Sequence, residues 1–297
     1  MKIKSLEDRI VNVVAIILVT VYAAFCVYPI IYCFSMSLSG TDAIIRSSVK
    51  LLPQGFNLDS YKLVLNNNKF FMYFKNAVIY TVIGTLISLA ANLTLGYVLS
   101  RKNFVFKKAL TVFILIPMMF SGGLIPSFLL IKSLNMYNTI WALVLPGAVS
   151  VWNSILAKTF FQTTIPNEVI ESAKIDGASD WKIFIKMVLP LSKTIIAILA
   201  LFAAVGIWND YFNALIYIKD DALKPLQLYL KEVLSTSANV SSSLTAMLDP
   251  KDYAANYVNT TRIKYVLIIV STLPIMIVYP FIQKYFVKGV MLGSVKG

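Results

Sequence analysis

The stretch TIPNEVIESAKIDGASDWKIFIKMVLP, from Thr164 to Pro190, is a polar insertion between two long apolar runs. Its charged residues recur among small and apolar ones at helical spacing, which predicts two short amphipathic helices. Each is too short to cross a membrane, since about 20 apolar residues are needed for one crossing. We name residues 164–190 the elbow. The contrast with the rest of the chain predicts that the elbow stands in the cytoplasm and is bound by something there.

The bulk composition indicates a membrane protein. The chain has 297 residues, of which 58% are hydrophobic and only 14% are charged, with a mean hydropathy of +0.74. Soluble domains carry about 25% charged residues. The short alternating segments typical of a membrane β-barrel do not occur, so the fold class predicted is all-α.

Six apolar runs predict six transmembrane helices in a single membrane domain over residues 1–297. The spans predicted are about 10–36, 76–100, 109–131, 139–160, 194–218 and 265–283. The predicted outer loops are 37–75 and 219–264, and the middle of the second (237–243) is expected to be mobile or capping.

Lys and Arg are denser in the segments that lie inside when the N-terminus is cytoplasmic, with a compact cluster at Arg101, Lys102, Lys107 and Lys108. The positive-inside rule therefore predicts that both termini are cytoplasmic. The net charge of +13 is scattered over both sides, so a nucleic-acid partner is not expected.

Several classes of chemistry lack their residues in this sequence. The chain has no His, which removes Ser-His nucleophile pairs and His metal ligands. Cys26 and Cys33 both lie in the first span. No GxxxxGK[ST] loop is present to hold a nucleotide phosphate. We therefore predict no catalytic residue, no metal and no cofactor bound by this chain.

The elbow is predicted to contain two helices that meet at a corner. Pro166 suits a first helical position, Asp176-Gly177 ends the first helix, Ser179 caps the second, and Pro190 follows its end. The predicted apolar sides carry Val169, Ile170 and Ala173 on the first helix, and Trp181, Phe184, Ile185 and Val188 on the second. Glu168, Glu171, Lys174 and Lys186 are predicted to be exposed. Such a pair can lie on a bilayer or dock into a groove on a soluble partner, and periodicity leaves both open.

Two features of the second and third spans concern helix packing. Gly84, Ser88, Asn92 and Gly96 recur at every fourth position of span two and form one small, polar stripe. A packing seam is the favoured interpretation, and a contact between Asn92 and a substrate pathway remains open. In span three, the segment from Pro117 through Gly122-Gly123 to Pro126 predicts a kink or half-helix, or an outer turn at Gly122.

Span five holds Asp210, the single acidic residue inside a predicted crossing. Asp210, Asn213 and Tyr217 are spaced to share one helical face, next to Trp208 and Asn209. One interpretation is an aromatic, polar pathway for a hydrophilic solute such as a sugar. The alternatives are structural hydrogen bonds between helices, or a place for Asp210 near the outer mouth.

The elbow also resembles a known motif. Glu171-Ser172-Ala173, Gly177 and Leu189-Pro190 stand at the spacing of the EAA motif of bacterial ABC importer permeases, with Ser172 and Met187 replacing the usual Ala and Ile. This resemblance implies a type I ABC importer fold in a bacterial plasma membrane. It also implies that an ATPase binds at the following residues: Glu171, Ser172, Ala173, Asp176, Gly177, Ala178, Leu189 and Pro190.

Segments along most of the chain resemble the carbohydrate-uptake (MalG-like) permeases and, within them, the LplC/YtcP-type subgroup. They are 120–130, 138–150, 208–218, 225–230 and 279–297. The resemblance implies a half-channel that pairs with a second, homologous permease. Two ATPase subunits would use ATP and Mg²⁺, and an extracellular or periplasmic sugar-binding protein would deliver an oligosaccharide. The rival predictions are a stand-alone secondary transporter for a polar solute and a membrane-embedded enzyme.

Overall fold

The computed structural model describes residues 6–102, 104–243 and 250–294, and these residues form helices and connecting segments without a β-strand. Residues 1–5 and 295–297, whose cytoplasmic location was predicted, lie outside the described residues, as do 103 and 244–249. The first eight helices are α1 (Leu6–Ser37), α2 (Thr41–Ile45), α3 (Asp59–Leu65), α4 (Asn68–Ser100), α5 (Lys107–Met119), α6 (Leu124–Ser133), α7 (Trp141–Val144) and α8 (Val151–Thr164). The others are α9 (Asn167–Ile175), α10 (Asp180–Ile183), α11 (Leu189–Leu191), α12 (Lys193–Trp208), α13 (Phe212–Tyr217), α14 (Leu226–Ser243) and α15 (Pro250–Ser294), with a π-helical turn at Phe184–Val188 and a 3₁₀ turn at Asp221–Leu223.

Three unbroken helices are long and apolar enough to cross a membrane, and their apolar parts are Arg9–Ser37, Asn68–Ser100 and Thr260–Tyr285. All three helices, α1, α4 and α15, begin earlier than the apolar runs, because a helix continues through charged residues as long as its backbone hydrogen bonds are made. The predicted outer loops 37–75 and 219–264 are therefore largely helical, since they contain α2, α3 and the ends of α4, α14 and α15. Residues 237–243 continue α14, and the expectation that this segment is mobile or capping stays a prediction.

The predicted break in span three is confirmed. α5 and α6 meet at an angle of 119° across residues 120–123. Gly123 has a φ of +83°, in the left-handed region that glycine tolerates best. α5, α6 and their bend thus form one broken span or a re-entrant segment.

The fourth predicted span, 139–160, is not one helix. α7 ends after a single turn, residues 145–150 leave the helical path, and α8 begins at Val151 behind the cap residue Ser150, whose side chain accepts from the Asn153 N–H. Pro146-Gly147 lies in the gap, and proline both lacks a donor and clashes with the preceding turn. By length and composition, the described residues provide three spans, or up to five when each bent pair is one span.

The fifth predicted span is also interrupted. α12 ends at Trp208 and α13 begins at Phe212, so Asp210 lies in a break rather than at a helix centre. The predicted common face of Asp210, Asn213 and Tyr217 required a continuous helix and is wrong. A second bent pair lies at the start of this span, where 180–191 and α12 meet at 84°.

The described residues group into two compact units, one from 1–70 with 230–273 and the other from 71–229 with 274–297. In the first unit, buried Arg262 donates to the Ser39 carbonyl at 3.0 Å. In the second, the stripe on α4 is a packing seam. A Cβ at Gly84 would lie 2.6 Å from Ile207 Cδ1, and one at Gly96 would lie 2.5 Å from Ala157 Cβ. The glycines thus let α4 approach α12 and α8 closely.

Candidate functional site

The corner of the elbow is built as predicted around Gly177. The Ala178 N–H donates to the Ala173 carbonyl at 2.9 Å and the Gly177 N–H donates to the Lys174 carbonyl at 3.0 Å, which together form a Schellman motif. Gly177 has a φ of +75°, a conformation that a Cβ would strain. The first helix begins one residue later than expected, because Pro166 is its cap and Asn167 its first residue.

The second arm of the elbow begins at the predicted cap and ends later than predicted. The Ser179 hydroxyl accepts from the Lys182 N–H at 3.3 Å. Pro190 lies inside the helical run, not beyond its end, since α11 continues to Leu191. The π-helical turn at Phe184–Val188 widens the backbone just before this proline, and the Ser192 hydroxyl donates to the Val188 carbonyl at 2.6 Å. Helix continuation through Pro190 is therefore accommodated locally.

One face of the elbow is fastened to the helix bundle. The side chains buried there are Ile165, Ile170, Ala173, Ile183, Phe184 and Val188, and they share a core with α4, α8 and α12. Phe184 packs its ring 4.8 Å from that of Tyr97 on α4, and Tyr97 meets Phe161 of α8 edge-on at 6.1 Å. Close-packed cores of this kind move as rigid bodies.

The other face of the elbow is open to solvent. Ile175 is 86% exposed and Trp181 is 63% exposed. Trp181 and Ile185 were predicted to share an apolar side with Phe184 and Val188. Phe184 and Val188 are buried together with Ile183, whereas Trp181 and Ile185 are exposed. The charged side chains Glu168, Glu171, Lys174 and Lys186 are exposed as expected.

The motif residues divide between the two faces. Ala173 is buried, Ala178 and Leu189 are half-buried, and Glu171, Ser172, Asp176, Gly177 and Pro190 are exposed. An ion pair between Lys174 Nζ and an Asp180 carboxylate oxygen, 2.9 Å apart, bridges the corner. Both side chains are more than half exposed, so the pair adds little stability. The motif therefore combines packing positions with a polar surface that a partner can contact.

A groove of about 400 Å³ runs beside Glu171 and was not predicted from the sequence. Its lining includes Tyr97, Arg101, Asn167, Lys174 and Asp180. The Arg101 guanidinium carbon lies 4.8 Å from the centre of the Tyr97 ring, a cation–π contact. Burial lowers the pKa of Arg101 from its usual value, while Tyr97 and Asp180 act in the opposite direction. The basic cluster after span two indicated a positively charged region here, but it did not predict a groove.

Asn92 is a packing residue at the centre of the bundle. It is 1% exposed. Its Nδ2 donates to the carbonyls of Ser88 and Ala148, at 2.7 and 2.8 Å. Its Oδ1 accepts from the Ser150 N–H at 3.0 Å and the Ser154 hydroxyl at 2.7 Å. Asn92 thus supplies hydrogen bonds to the non-helical segment between α7 and α8, whose backbone groups need partners in a membrane.

A cavity of about 900 Å³ lies in the same unit, between α4, α7, α8, α12, α13 and α15. Its lining is mostly apolar, with three aromatic side chains, Trp152, Phe202 and Tyr279, and five polar ones. The polar side chains are Ser88, Ser150, Asn153, Asp210 and Asn213. Ser150, Trp152 and Asn153 were missed by the sequence analysis, because they follow the unpredicted break before α8.

The six residues predicted for the substrate pathway are not all brought together. Asp210 and Asn213 line the cavity and bind each other, with the Asn213 N–H 3.0 Å from Asp210 Oδ1 and its Nδ2 2.7 Å from Oδ2. Tyr217 is buried away from it, stacked on Phe128 at 6.2 Å. The remaining three, Asn92, Trp208 and Asn209, do not line the cavity.

Comparisons with known proteins cover these same elements. Residues 92–292 match the family model described as binding-protein-dependent transport system inner membrane component. The chain is 40% identical over 290 residues to the protein LplC of Bacillus subtilis (strain 168), a match that covers 97% of this chain and 96% of LplC. It is 37% identical over 292 residues to the polygalacturonan/rhamnogalacturonan transport system permease protein YtcP of the same organism, with 98% and 100% covered.

A solved structure also matches closely. A chain of a bacterial ABC transporter involved in the import of the acidic polysaccharide alginate has a TM-score of 0.83 and 30% sequence identity to this chain. The match covers 96% of this chain and 100% of the other. The elbow and, except for Ser88, the lining of the cavity lie within the residues that the family model matches.

Proposed function

Because the chain belongs to the binding-protein-dependent transport system inner membrane components, whose ATPase is a separate subunit, we propose that it is one of two homologous permeases in an ATP-driven oligosaccharide importer. The observation that carries this proposal is the elbow, a rigid corner with one face packed into the bundle and the other exposed. The resemblance to ABC sugar permeases is confirmed by relatives that share nearly the whole chain.

The exposed face of the elbow suits a protein partner better than a lipid surface. It presents Ile175 and Trp181 among charges of both signs, including Glu168, Glu171 and Asp176. Helices that lie on anionic bilayers carry mainly Lys and Arg on the polar face. A cleft on a cytoplasmic ATPase subunit, with apolar contacts and polar groups for Glu171, fits this surface.

The packed face explains how such docking can act on the membrane domain. Ile183, Phe184 and Val188 share one core with Ile195 and Leu199 of α12. The same helix continues to Leu201, Val205 and Gly206, which line the cavity. When two ATPase subunits close on ATP and Mg²⁺, movement of the elbow would shift α12 and with it the cavity wall. In this proposal the elbow transmits movement to the membrane domain because its buried side chains share one core with α4, α8 and α12.

The cavity supplies half of a sugar pathway. Trp152 and Tyr279 offer ring faces on which sugar rings stack, and Asn153, Asp210 and Asn213 offer hydrogen-bond partners for hydroxyl groups. Relatives named for polygalacturonan and alginate transport support a glycan substrate. The second permease would complete the pathway, and a sugar-binding protein outside the membrane would deliver the substrate.

The membrane topology belongs to the same proposal. We assign six crossings within one domain over 1–297, with α7, the 145–150 segment and α8 as a broken fourth crossing. Both termini and the elbow then face the cytoplasm, in agreement with the basic residues at 101–108.

Two substitutions at the elbow test the coupling. Glu171→Lys reverses an exposed charge, and Gly177→Asp strains the left-handed corner. We expect each variant to lose the ATPase subunit on purification, or to hydrolyse ATP without driving sugar uptake. Asp42→Lys is the matched control for the charge reversal, since Asp42 is exposed on α2, and Gly122→Ala is the control for the corner, since a Cβ at Gly122 meets no atom within 4 Å. Full ATPase retention and normal sugar uptake in both elbow variants would overturn the proposal.

A further inference from the structure

The side chains that line the cavity give it a negative charge, which affects the kind of substrate it can accept. Among the described residues that line it, Asp210 is the one with a charged side chain, and no Lys or Arg is present. The other polar groups are hydroxyls and carboxamides, which are neutral. This half of the pathway therefore presents a negative group to whatever enters it.

Asp210 is held in place rather than free to turn away. Both of its carboxylate oxygens accept hydrogen bonds from Asn213, one from the backbone N–H and one from the side-chain amide. Each carboxylate oxygen has a further lone pair. The remaining acceptor positions can take sugar hydroxyl groups, which are hydrogen-bond donors.

We infer that this permease half selects neutral oligosaccharides and repels sugar acids through the fixed carboxylate of Asp210. A uronate unit differs from the corresponding hexose in carrying a carboxylate in place of the C6 hydroxymethyl group. At the partly exposed position of Asp210, two carboxylates repel each other about four times as strongly as in bulk water, because the effective dielectric constant near a protein surface is about 20 rather than 80. A neutral sugar donates to Asp210 instead.

This inference rests on the proposed function and narrows it. It also separates this chain from the acidic substrates for which two of its relatives are named, polygalacturonan and alginate. Aromatic stacking at Trp152 and Tyr279 serves either class of sugar, so the discrimination lies with Asp210.

The test is competitive uptake by the complete transporter in proteoliposomes, supplied with its binding protein. The substrates are hexose oligomers and the hexuronate oligomers of the same length and linkage. The variants are Asp210→Asn, which keeps an acceptor oxygen for Asn213, Asp210→Glu, which keeps the charge, and Asp42→Asn, which removes a carboxylate far along the chain on α2. The binding protein is the same throughout, so a change in the ratio of neutral to acidic uptake reports the permease.

We expect the wild type to favour the neutral oligomers and Asp210→Asn to lower that preference by about tenfold. Asp210→Glu and Asp42→Asn should keep the wild-type preference. Uronate uptake equal to or above neutral uptake in the wild type, with a ratio that Asp210→Asn leaves unchanged, would overturn the inference alone. Uptake of neither class would overturn the proposed function as well.

Discussion

Gly177 is the residue on which the shape of the elbow depends. Its φ of +75° is costly for any residue with a Cβ, although the space around it is open. We expect Gly177→Ala to destabilise the complex by about 1–2 kcal/mol. Gly122→Ala is the control, since Gly122 has the same open surroundings without a left-handed φ. Equal thermal melting points for the two variants would contradict this account of the corner.

Asn92 is the residue that holds the non-helical segment between α7 and α8, which we propose as part of a broken fourth crossing. Asn92→Ala would leave the Ala148 carbonyl and the Ser150 N–H without their partner in a buried place. We expect a loss of about 3 kcal/mol or more, because each unsatisfied buried group costs about 1–3 kcal/mol. Asn209→Ala is the comparison, because exposed Asn209 donates only to the Val205 carbonyl of its own helix. Thermal unfolding of the purified complex measures both, and similar stability in the two variants would count against a clamping role.

Local rules predicted Gly177 and Ser179, but not the role of Asn92. A glycine at a helix end and a serine before a helix act on neighbours in the chain. Asn92 instead meets Ala148 and Ser154, which are 56 and 62 positions away. A regular helical period put Trp181 and Ile185 on the same side as Phe184 and Val188, and it could not show that only Phe184 and Val188 face the core, because the π-helical turn changes which side chains point inward.

At the scale of elements, the elbow has two faces with different roles. The packed face contributes to the stability of the fold, and the exposed face is proposed to bind the ATPase. Phe184→Ala removes a ring that contacts Tyr97 in the core, so we expect a loss of about 3–5 kcal/mol in stability. Trp181→Ala removes a ring that is 63% exposed, so it should leave the melting temperature nearly unchanged while weakening ATPase retention. Melting curves and co-purification of both variants check this division. A stable Phe184→Ala, or a Trp181→Ala that binds the ATPase normally, would show that the faces are assigned wrongly.

Helix breaks were predictable only where proline and glycine were read as a cluster. The bend between α5 and α6 follows from Pro117 and Gly122-Gly123. Pro146-Gly147 carries a similar signal, which the surrounding apolar residues concealed. The break between α12 and α13 has neither residue type, and there Asn209 and Asp210 bond to nearby backbone groups instead.

At the scale of the whole molecule, the topology predicts opposite sides for two exposed lysines. Lys50 lies beyond α1 and Lys102 directly follows α4. In a variant whose Cys26 and Cys33 are replaced by Ala, we expect Lys50→Cys to react with an impermeant maleimide added to intact cells. Lys102→Cys should react only after the membrane is opened. Labelling of both from the same side would contradict the six-crossing arrangement.

The family was predictable from the sequence because its motif is defined by the spacing of a few residues. That spacing is still recognisable here, although Ser172 and Met187 replace two of the usual residues. The cavity was only partly predictable. Asp210 and Asn213 stand out as polar residues in an apolar run, whereas Ser150 and Asn153 reach the cavity through tertiary packing around a broken helix. The charge of the substrate could therefore be inferred only after the structure showed which side chains line the cavity together.

The central claim is that a cytoplasmic ATPase subunit grips the exposed face of the elbow. Its most direct test is a photo-crosslinking amino acid at position 175, where the natural Ile175 is 86% exposed, with position 125 on α6 as the control, where Ile125 is 71% exposed. In membranes that contain the whole transporter, position 175 should crosslink to the ATPase subunit and position 125 should not. Crosslinks from position 175 to lipid alone would contradict the account.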